Sequence, residues 1–187
     1  MRTDAPGESA LLMLDVAAAL ANSGIDYAIV GAMAAAVHGV VRASLDADAV
    51  VSLQVREAVA LKHTFDVAGL ATDLRIGDPD DPIPALLAIT DSYGNRVDLL
   101  IGLRGLEPGA FARVQHIAFL GESLRIIGRE DFIAMKAFAG GPQDVADARL
   151  AIAFDRESLD LDLLRRLAER FGRDAAKTLD ELLDSGD

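Results

Sequence analysis

Residues 30–51 read VGAMAAAVHGVVRASLDADAVV, a pattern that predicts a strand turning directly into a helix and then a second strand. The apolar residues 27–30 end abruptly at Gly31, helix-forming residues run from Ala32 to His38, and residues 47–53 become apolar again. A glycine at a strand-to-helix turn leaves backbone N–H groups facing outward and lets a phosphate approach closely. The turn therefore suggests phosphate binding, although such turns are common in α/β proteins.

Three aspartates interrupt the apolar character of the predicted strands. Asp46 and Asp48 share one strand face, about 6.5–7 Å apart along the chain, because side chains alternate with a period of two. Asp98 is similarly out of place in the strand over residues 96–101. If the two strands pair, three carboxylates converge, and carboxylates in that arrangement serve to hold a pair of Mg²⁺ ions in phosphoryl and nucleotidyl transfer.

The rest of the chain follows an α/β (α+β) pattern that ends in helices only. We predict a sheet-containing domain over residues 1–127 and a helical region packed on it over 128–187, with the acidic, proline-rich stretch 73–84 as a loop. The predicted helices and strands lie at 11–21 (helix), 27–30 (strand), 32–38 (helix), 47–53 (strand), 56–68 (helix), 85–90 with 96–101 (hairpin), 114–119 with 124–127 (hairpin), and 130–139, 143–154, 159–171 and 174–184 (helices).

Composition excludes several classes of function. The 187 residues include 18 Lys+Arg and 30 Asp+Glu, giving a net charge of −12, which argues against a protein that coats nucleic acid nonspecifically. The absence of cysteine excludes disulfides, thiolate zinc sites and a cysteine nucleophile. The histidines His38, His63 and His116 are scattered, so hard cations are the better expectation. Residues 1–8 are too polar to lead a secretory segment and no long apolar run occurs, so we expect a cytoplasmic protein without a membrane partner.

Several motifs together resemble a known family. Gly31-Ala32, thirteen intervening residues and then Asp46-Ala47-Asp48 resemble the signature of the nucleotidyltransferase superfamily that includes DNA polymerase beta. More closely, residues 27–48 resemble the minimal bacterial nucleotidyltransferases related to the AbiEii toxins of type IV toxin–antitoxin systems, and residues 129–147 resemble that family's downstream helical motif. The resemblance implies a nucleotidyltransferase fold with a short mixed sheet and flanking helices, followed by a C-terminal helical bundle.

The resemblance also implies a reaction and the residues that carry it. The enzyme would move a nucleoside monophosphate from an NTP to an acceptor hydroxyl and release pyrophosphate. Asp46 and Asp48 would hold two Mg²⁺ ions, and Asp98 would be the third metal-binding and catalytic acid, helping to deprotonate the acceptor. Gly31 and the amides after it would cradle the triphosphate, and Lys136 would reach the phosphates from the first C-terminal helix.

Five further positions qualify this picture. Ala32 belongs to the implied nucleotide-binding turn but replaces the commoner Gly or Ser, and Gly141 stands where many relatives have Arg. Arg42 would lie near the nucleotide, with a simple ion pair to Asp46 or Asp48 as its alternative. We interpret Asp144 and Asp147 first as capping and structural residues, because acidic residues are favoured near a helix start, with a role near the nucleotide second.

The acceptor remains open at this level. The toxin resemblance implies RNA, such as the end of a tRNA, together with a possible cognate antitoxin protein. The alternatives are a small-molecule nucleotidyltransferase of the aminoglycoside-modifying type, or a protein that has lost catalysis and binds a nucleotide or a partner. Ala32 and Gly141 are the features that favour lost catalysis.

Overall fold

The computed structural model describes residues 1–184, which form one seven-stranded mixed sheet with seven α-helices around it. The strands are β1 Tyr27–Ile29, β2 Asp46–Val51, β3 Ala71–Ile76, β4 Ala85–Thr90, β5 Arg96–Ile101, β6 Gln115–Phe119 and β7 Glu122–Ile126. The helices are α1 Ser9–Asn22, α2 Gly31–Val37, α3 Ala58–Val67, α4 Arg129–Ala139, α5 Pro142–Phe154, α6 Leu161–Phe171 and α7 Arg173–Asp184. Each of these helices is too short or too polar to cross a membrane.

The sheet has the strand order β3-β4-β5-β2-β1-β7-β6. β2 pairs with β5 and β1 with β7 in parallel, whereas the remaining neighbours are antiparallel. The two antiparallel pairs β4–β5 and β6–β7 are the hairpins expected from the sequence. The predicted mixed sheet with flanking helices is therefore confirmed, and it places β2 and β5 side by side at its centre.

The N-terminal helices α1 and α3 pack against the sheet, whereas the C-terminal helices pack mainly against one another. α1 contacts β2 and β5, and α3 contacts β3 and β4, so the buried apolar side chains of these strands pack on one side against helices. α4 packs against α5, α6 and α7 to form the C-terminal helical bundle that the sequence predicts. Phe132 and Ile133 of α4 are fully buried, which fixes this helix in the core. The opposite face of the sheet carries the polar side chains of β2, β3 and β5 described below.

One sequence prediction is wrong. Residues 73–76 were expected to belong to a loop, but they form the second half of the edge strand β3, paired antiparallel with β4. An edge strand needs only one apolar face, and here Leu74 supplies it while Asp73 and Arg75 point to the other face and pair with each other at 2.8 Å. The short alternation is masked by the acidic residues that follow, and only residues 77–84 remain a connection.

Candidate active site

The strand pairing brings the three predicted acids onto one face of the sheet. In the parallel ladder between β2 and β5, Asp48 lies directly opposite Asp98, and Asp46 lies opposite Arg96. Residues directly opposite each other in a sheet share a face. The expectation that the Asp98 strand pairs beside the strand of Asp46 and Asp48 is therefore confirmed.

Gly31 has a role that the sequence alone does not reveal. The backbone N–H of Val30 donates to the carbonyl oxygen of Asp48 at 2.9 Å, which fixes the turn against β2. Gly31 adopts φ +59°, and a Cβ at this position would overlap the Asp48 carboxylate oxygen Oδ2. A residue without a Cβ is therefore required both by the backbone conformation and by the space that the Asp48 side chain occupies.

The electrostatics of Asp48 are unfavourable in the folded protein. Burial raises the pKa of the Asp48 carboxyl group, and the negative charges of Asp98 and Asp46 raise it further, against a smaller opposing effect of Arg42 and Lys136. Burial and like-charge repulsion both disfavour the ionised carboxylate. A cation bound at this position would therefore relieve a cost already present in the fold.

This raised pKa predicts how stability depends on pH in the absence of metal. A carboxyl group with a raised folded pKa stabilises the fold below its ordinary value of 3.8, and this contribution is lost as pH rises through the folded pKa. We expect an Asp48→Asn variant to be more stable than the wild type at neutral pH, with the difference shrinking on acidification. Urea unfolding of both proteins in chelator across this pH range measures the difference. A difference that stays constant with pH would contradict the assignment.

The donor chemistry of Asp46 and Asp48 fits a divalent cation. Within residues 1–184, neither carboxylate forms an ion pair or accepts a side-chain hydrogen bond, and carboxylate oxygens are ligands that Mg²⁺ prefers. Asp98 differs, because the guanidinium of Arg96 binds both of its oxygens at 2.8 and 3.0 Å. Over the same residues, no three acidic or histidine side chains are arranged to hold a metal ion as they stand. Asp98, the third predicted ligand, is bound by Arg96 instead.

Lys136 and Arg42 are both anchored by Asp147 of α5. The Lys136 ammonium lies 2.6 Å from Asp144 Oδ1 and 3.0 Å from Asp147 Oδ2, and Arg42 Nε lies 3.2 Å from the same Asp147 oxygen. Burial acts to raise the pKa of fully buried Asp147, but hydrogen bonds from Gln143 and Lys136 outweigh it, and the net shift is downward. The alternative pairing of Arg42 with Asp46 or Asp48 is wrong, because Asp147 takes that position.

The remaining predicted residues line two cavities. Gly31, Asp48 and Lys136 line one of about 160 Å³, together with the apolar side chains of Phe132 and Met135. The second cavity has a volume of about 220 Å³ and is lined by Ala32, Arg42 and Asp46, with Ser44 and the small residues of α2. Asp98 lines neither cavity and faces Arg96 instead.

Two charged residues near the site have ion-pair partners that the sequence does not predict. Asp147 was interpreted first as a capping residue, yet its carboxylate joins two cations that the resemblance implies for nucleotide binding. Arg96 binds Asp98 directly, and only its place two residues earlier on the same strand could have signalled this. Asp144 is the partially exposed second partner of Lys136, and a Cβ at Gly141 would approach its carboxylate to 2.9 Å.

Comparison with known proteins supports the architecture. A scan against protein-family models finds no match, and neither does a search of curated proteins. Among solved structures, the antibiotic-resistance factor ANT(2'')-Ia matches with a TM-score of 0.58 and 16% identity over 94% of each chain. A candidate nucleotidyltransferase of Thermotoga maritima, TM1012, matches with a TM-score of 0.56 and 13% identity over 78% of this chain and 93% of that one.

A third structure belongs to the same group. The lincosamide antibiotic adenylyltransferase LnuA, solved with lincomycin bound, matches with a TM-score of 0.51 and 8% identity over 81% of this chain and 99% of the other. At sequence identities this low, the match reflects similar backbone folds rather than shared residues. It therefore supports the fold and says nothing about the substrate. Together with the mixed sheet and its central aspartates, these matches show that the chain has the fold of the nucleotidyltransferases.

Proposed function

We propose that the protein is a Mg²⁺-dependent nucleotidyltransferase that moves a nucleoside monophosphate from an NTP to an acceptor hydroxyl. The observation that carries the proposal is the register of β2 and β5, which sets Asp46, Asp48 and Asp98 on one face beside the glycine turn. A divalent cation would compensate the carboxylates of Asp46 and Asp48, which have no ion-pair partner within residues 1–184. The ionised form of Asp48 is also destabilised by burial and by neighbouring negative charges. The fold shared with known nucleotidyltransferases supports this assignment.

In this proposal each residue has a distinct task. Two Mg²⁺ ions, when bound, neutralise the charge that develops on the transferring phosphate and on the pyrophosphate leaving group. Asp46 and Asp48 would hold these ions together with Asp98, and an oxygen of Asp98 would accept the proton of the acceptor hydroxyl. Lys136 has a third N–H left for a phosphate oxygen, since two carboxylates already bind its ammonium group.

Part of the nucleotide would occupy the cavity of about 160 Å³, which is too small for a whole NTP. Phe132 and Met135 provide an apolar wall there, next to Lys136, and Gly31 lets the chain approach a phosphate closely. Arg42, which is held by Asp147 and lines the second cavity, supplies a second cation for the triphosphate. Ala32 offers no hydroxyl, so contacts from the turn would come from its backbone N–H groups.

A small hydroxylated molecule is the acceptor that the charges favour. On the sheet face beside Asp98, the guanidinium groups of Arg75 and Arg96 are both paired with aspartates of their own strands. A polyanionic acceptor needs cations that are free to meet its phosphates, and the chain carries a net charge of −12. The RNA acceptor and the antitoxin partner rest on the sequence resemblance alone and form the second candidate.

Labelled nucleotide distinguishes these acceptors. The protein is incubated with each α-³²P-labelled NTP, Mg²⁺ and, separately, aminoglycoside and lincosamide mixtures, total RNA and a protein extract. We expect label to appear in a small-molecule product and not in RNA. Label in RNA alone would overturn the small-molecule acceptor and favour the toxin-like one. Binding of NTP without transfer to any pool would identify a protein that has lost catalysis.

A further inference from the structure

Arg96 is a positively charged side chain in direct contact with Asp98, one of the three predicted catalytic acids. It begins β5, and its guanidinium binds the Asp98 carboxylate in a two-point geometry, Nε to Oδ1 at 2.8 Å and Nη2 to Oδ2 at 3.0 Å. Both side chains are largely shielded, with 34% of the Arg96 and 16% of the Asp98 side chain exposed. Paired hydrogen bonds of this kind between charged groups are among the strongest in proteins.

The Arg96 guanidinium interacts electrostatically with more than one carboxylate. Its hydrogen bonds with Asp98, together with the negative charges of Asp98, Asp46 and Asp73, raise the pKa of Arg96. Asp46 lies directly opposite Arg96 in the ladder. Arg42 and Lys136 act on this face only through space, because their own ion pairs go to α5.

We propose that Arg96 is a built-in counter-cation that sets the divalent-metal affinity of this site. It donates a hydrogen bond to each oxygen of Asp98, so a metal ion that uses Asp98 as a ligand competes with it for that carboxylate. The inference rests on the proposed function, because it takes Asp46, Asp48 and Asp98 as the metal ligands.

Two independent effects of removing Arg96 act in the same direction. The metal no longer competes with a guanidinium for the Asp98 oxygens, and one positive charge disappears from beside a cation site. Both changes strengthen metal binding. Removing Arg96 lowers the stability of the metal-free protein, because Asp98 loses its partner and the three carboxylates repel each other without compensation. Arg96 thus lowers the affinity for metal and stabilises the metal-free fold.

The test measures Mn²⁺ binding to the full chain without nucleotide. Electron paramagnetic resonance quantifies the free ion, and calorimetry gives the dissociation constant independently. We expect the Arg96→Gln variant to bind Mn²⁺ about tenfold more tightly than the wild type, a change that corresponds to one strong charged hydrogen-bond pair. In chelator, the same variant should unfold at a lower temperature. Arg96→Lys keeps the charge but loses the two-point geometry, so its affinity should lie between the other two.

Arg75→Gln is the matched control. Arg75 pairs with Asp73 two residues earlier on β3, as Arg96 pairs with an aspartate two residues later on β5, and Asp73 shares the sheet face of Asp98. This control should leave Mn²⁺ affinity unchanged. In an Asp98→Asn background, Arg96→Gln should lose the part of its effect that comes from competition for Asp98 and keep only the part that comes from the lost charge.

The outcomes separate this inference from the proposed function. Unchanged or weaker Mn²⁺ binding by Arg96→Gln and Arg96→Lys, in proteins that fold, would overturn the role of Arg96 while leaving the metal site intact. An equal gain in the Asp98→Asn background would also overturn it. Absence of Mn²⁺ binding by the wild type and by every variant, with or without NTP, would overturn the proposed metal site and this inference with it.

Discussion

An Asp48→Asn variant is expected to lose about a thousandfold or more of its nucleotidyl transfer rate, because metal ligation supplies several kcal/mol of transition-state stabilisation. Asp48 is central among the three acids, since Asp98 lies opposite it and Asp46 precedes it by two residues. Asparagine keeps the size of the side chain but removes the charge that holds the cation. Initial rates with saturating NTP and Mg²⁺ measure the loss in kcat.

The same variant should not be less stable than the wild type. The ionised Asp48 carboxylate is disfavoured by burial and by its neighbours, so the loss of charge relieves repulsion in the metal-free protein. Asp73→Asn is the matched control, because Asp73 lies on the same sheet face but pairs only with Arg75. Full activity in Asp48→Asn, or an equal loss in Asp73→Asn, would contradict the assignment of Asp48.

Replacement of Gly31 by alanine is expected to cause the second large effect. An alanine at φ +59° costs about 1–2 kcal/mol from backbone strain alone, and its Cβ would overlap the Asp48 carboxylate. The collision must move Asp48 or open the turn, and either change separates the carboxylate from its place opposite Asp98. We expect activity to fall about a hundredfold, since misplacement of a catalytic group by about 1 Å has an effect of that size.

Gly69→Ala isolates the part of this effect that comes from strain. Gly69 also has a positive φ, +83°, but nothing lies within 4 Å of the position that a Cβ would take. Both variants should lose stability in urea unfolding, whereas only Gly31→Ala should lose activity. Similar activity in the two variants would show that the space beside Asp48 is not what makes Gly31 necessary.

The central part of the fold could be predicted from the sequence because its signals are local. The abrupt end of the apolar run at Gly31 and the two-residue spacing of Asp46 and Asp48 define a turn and a strand face without any long-range information. The C-terminal helices are found by periodicity for the same reason, and each begins and ends within a few residues of its predicted bounds. The edge strand β3 was missed because its solvent-facing side carries charges that resemble the following loop.

The partners of the charged side chains could not be predicted in this way. Arg42 reaches Asp147, which is 105 residues away in sequence, and no spacing rule connects a loop before β2 with a helix after the sheet. The need for a glycine at position 31 was predicted, but for the approach of a phosphate rather than for the Asp48 carboxylate. The hydrogen bonds between Arg96 and Asp98 likewise appear only in the folded structure.

The most direct test of the account compares label transfer from α-³²P-NTP and γ-³²P-NTP in the presence of Mg²⁺ and a hydroxylated acceptor pool. In nucleotidyl transfer the acceptor hydroxyl attacks the α-phosphate and pyrophosphate leaves. We therefore expect the acceptor to take label from the α-labelled nucleotide only, and pyrophosphate to carry the γ label. Asp48→Asn should abolish both signals. Transfer of the γ label to the acceptor, or transfer that survives Asp48→Asn, would contradict it.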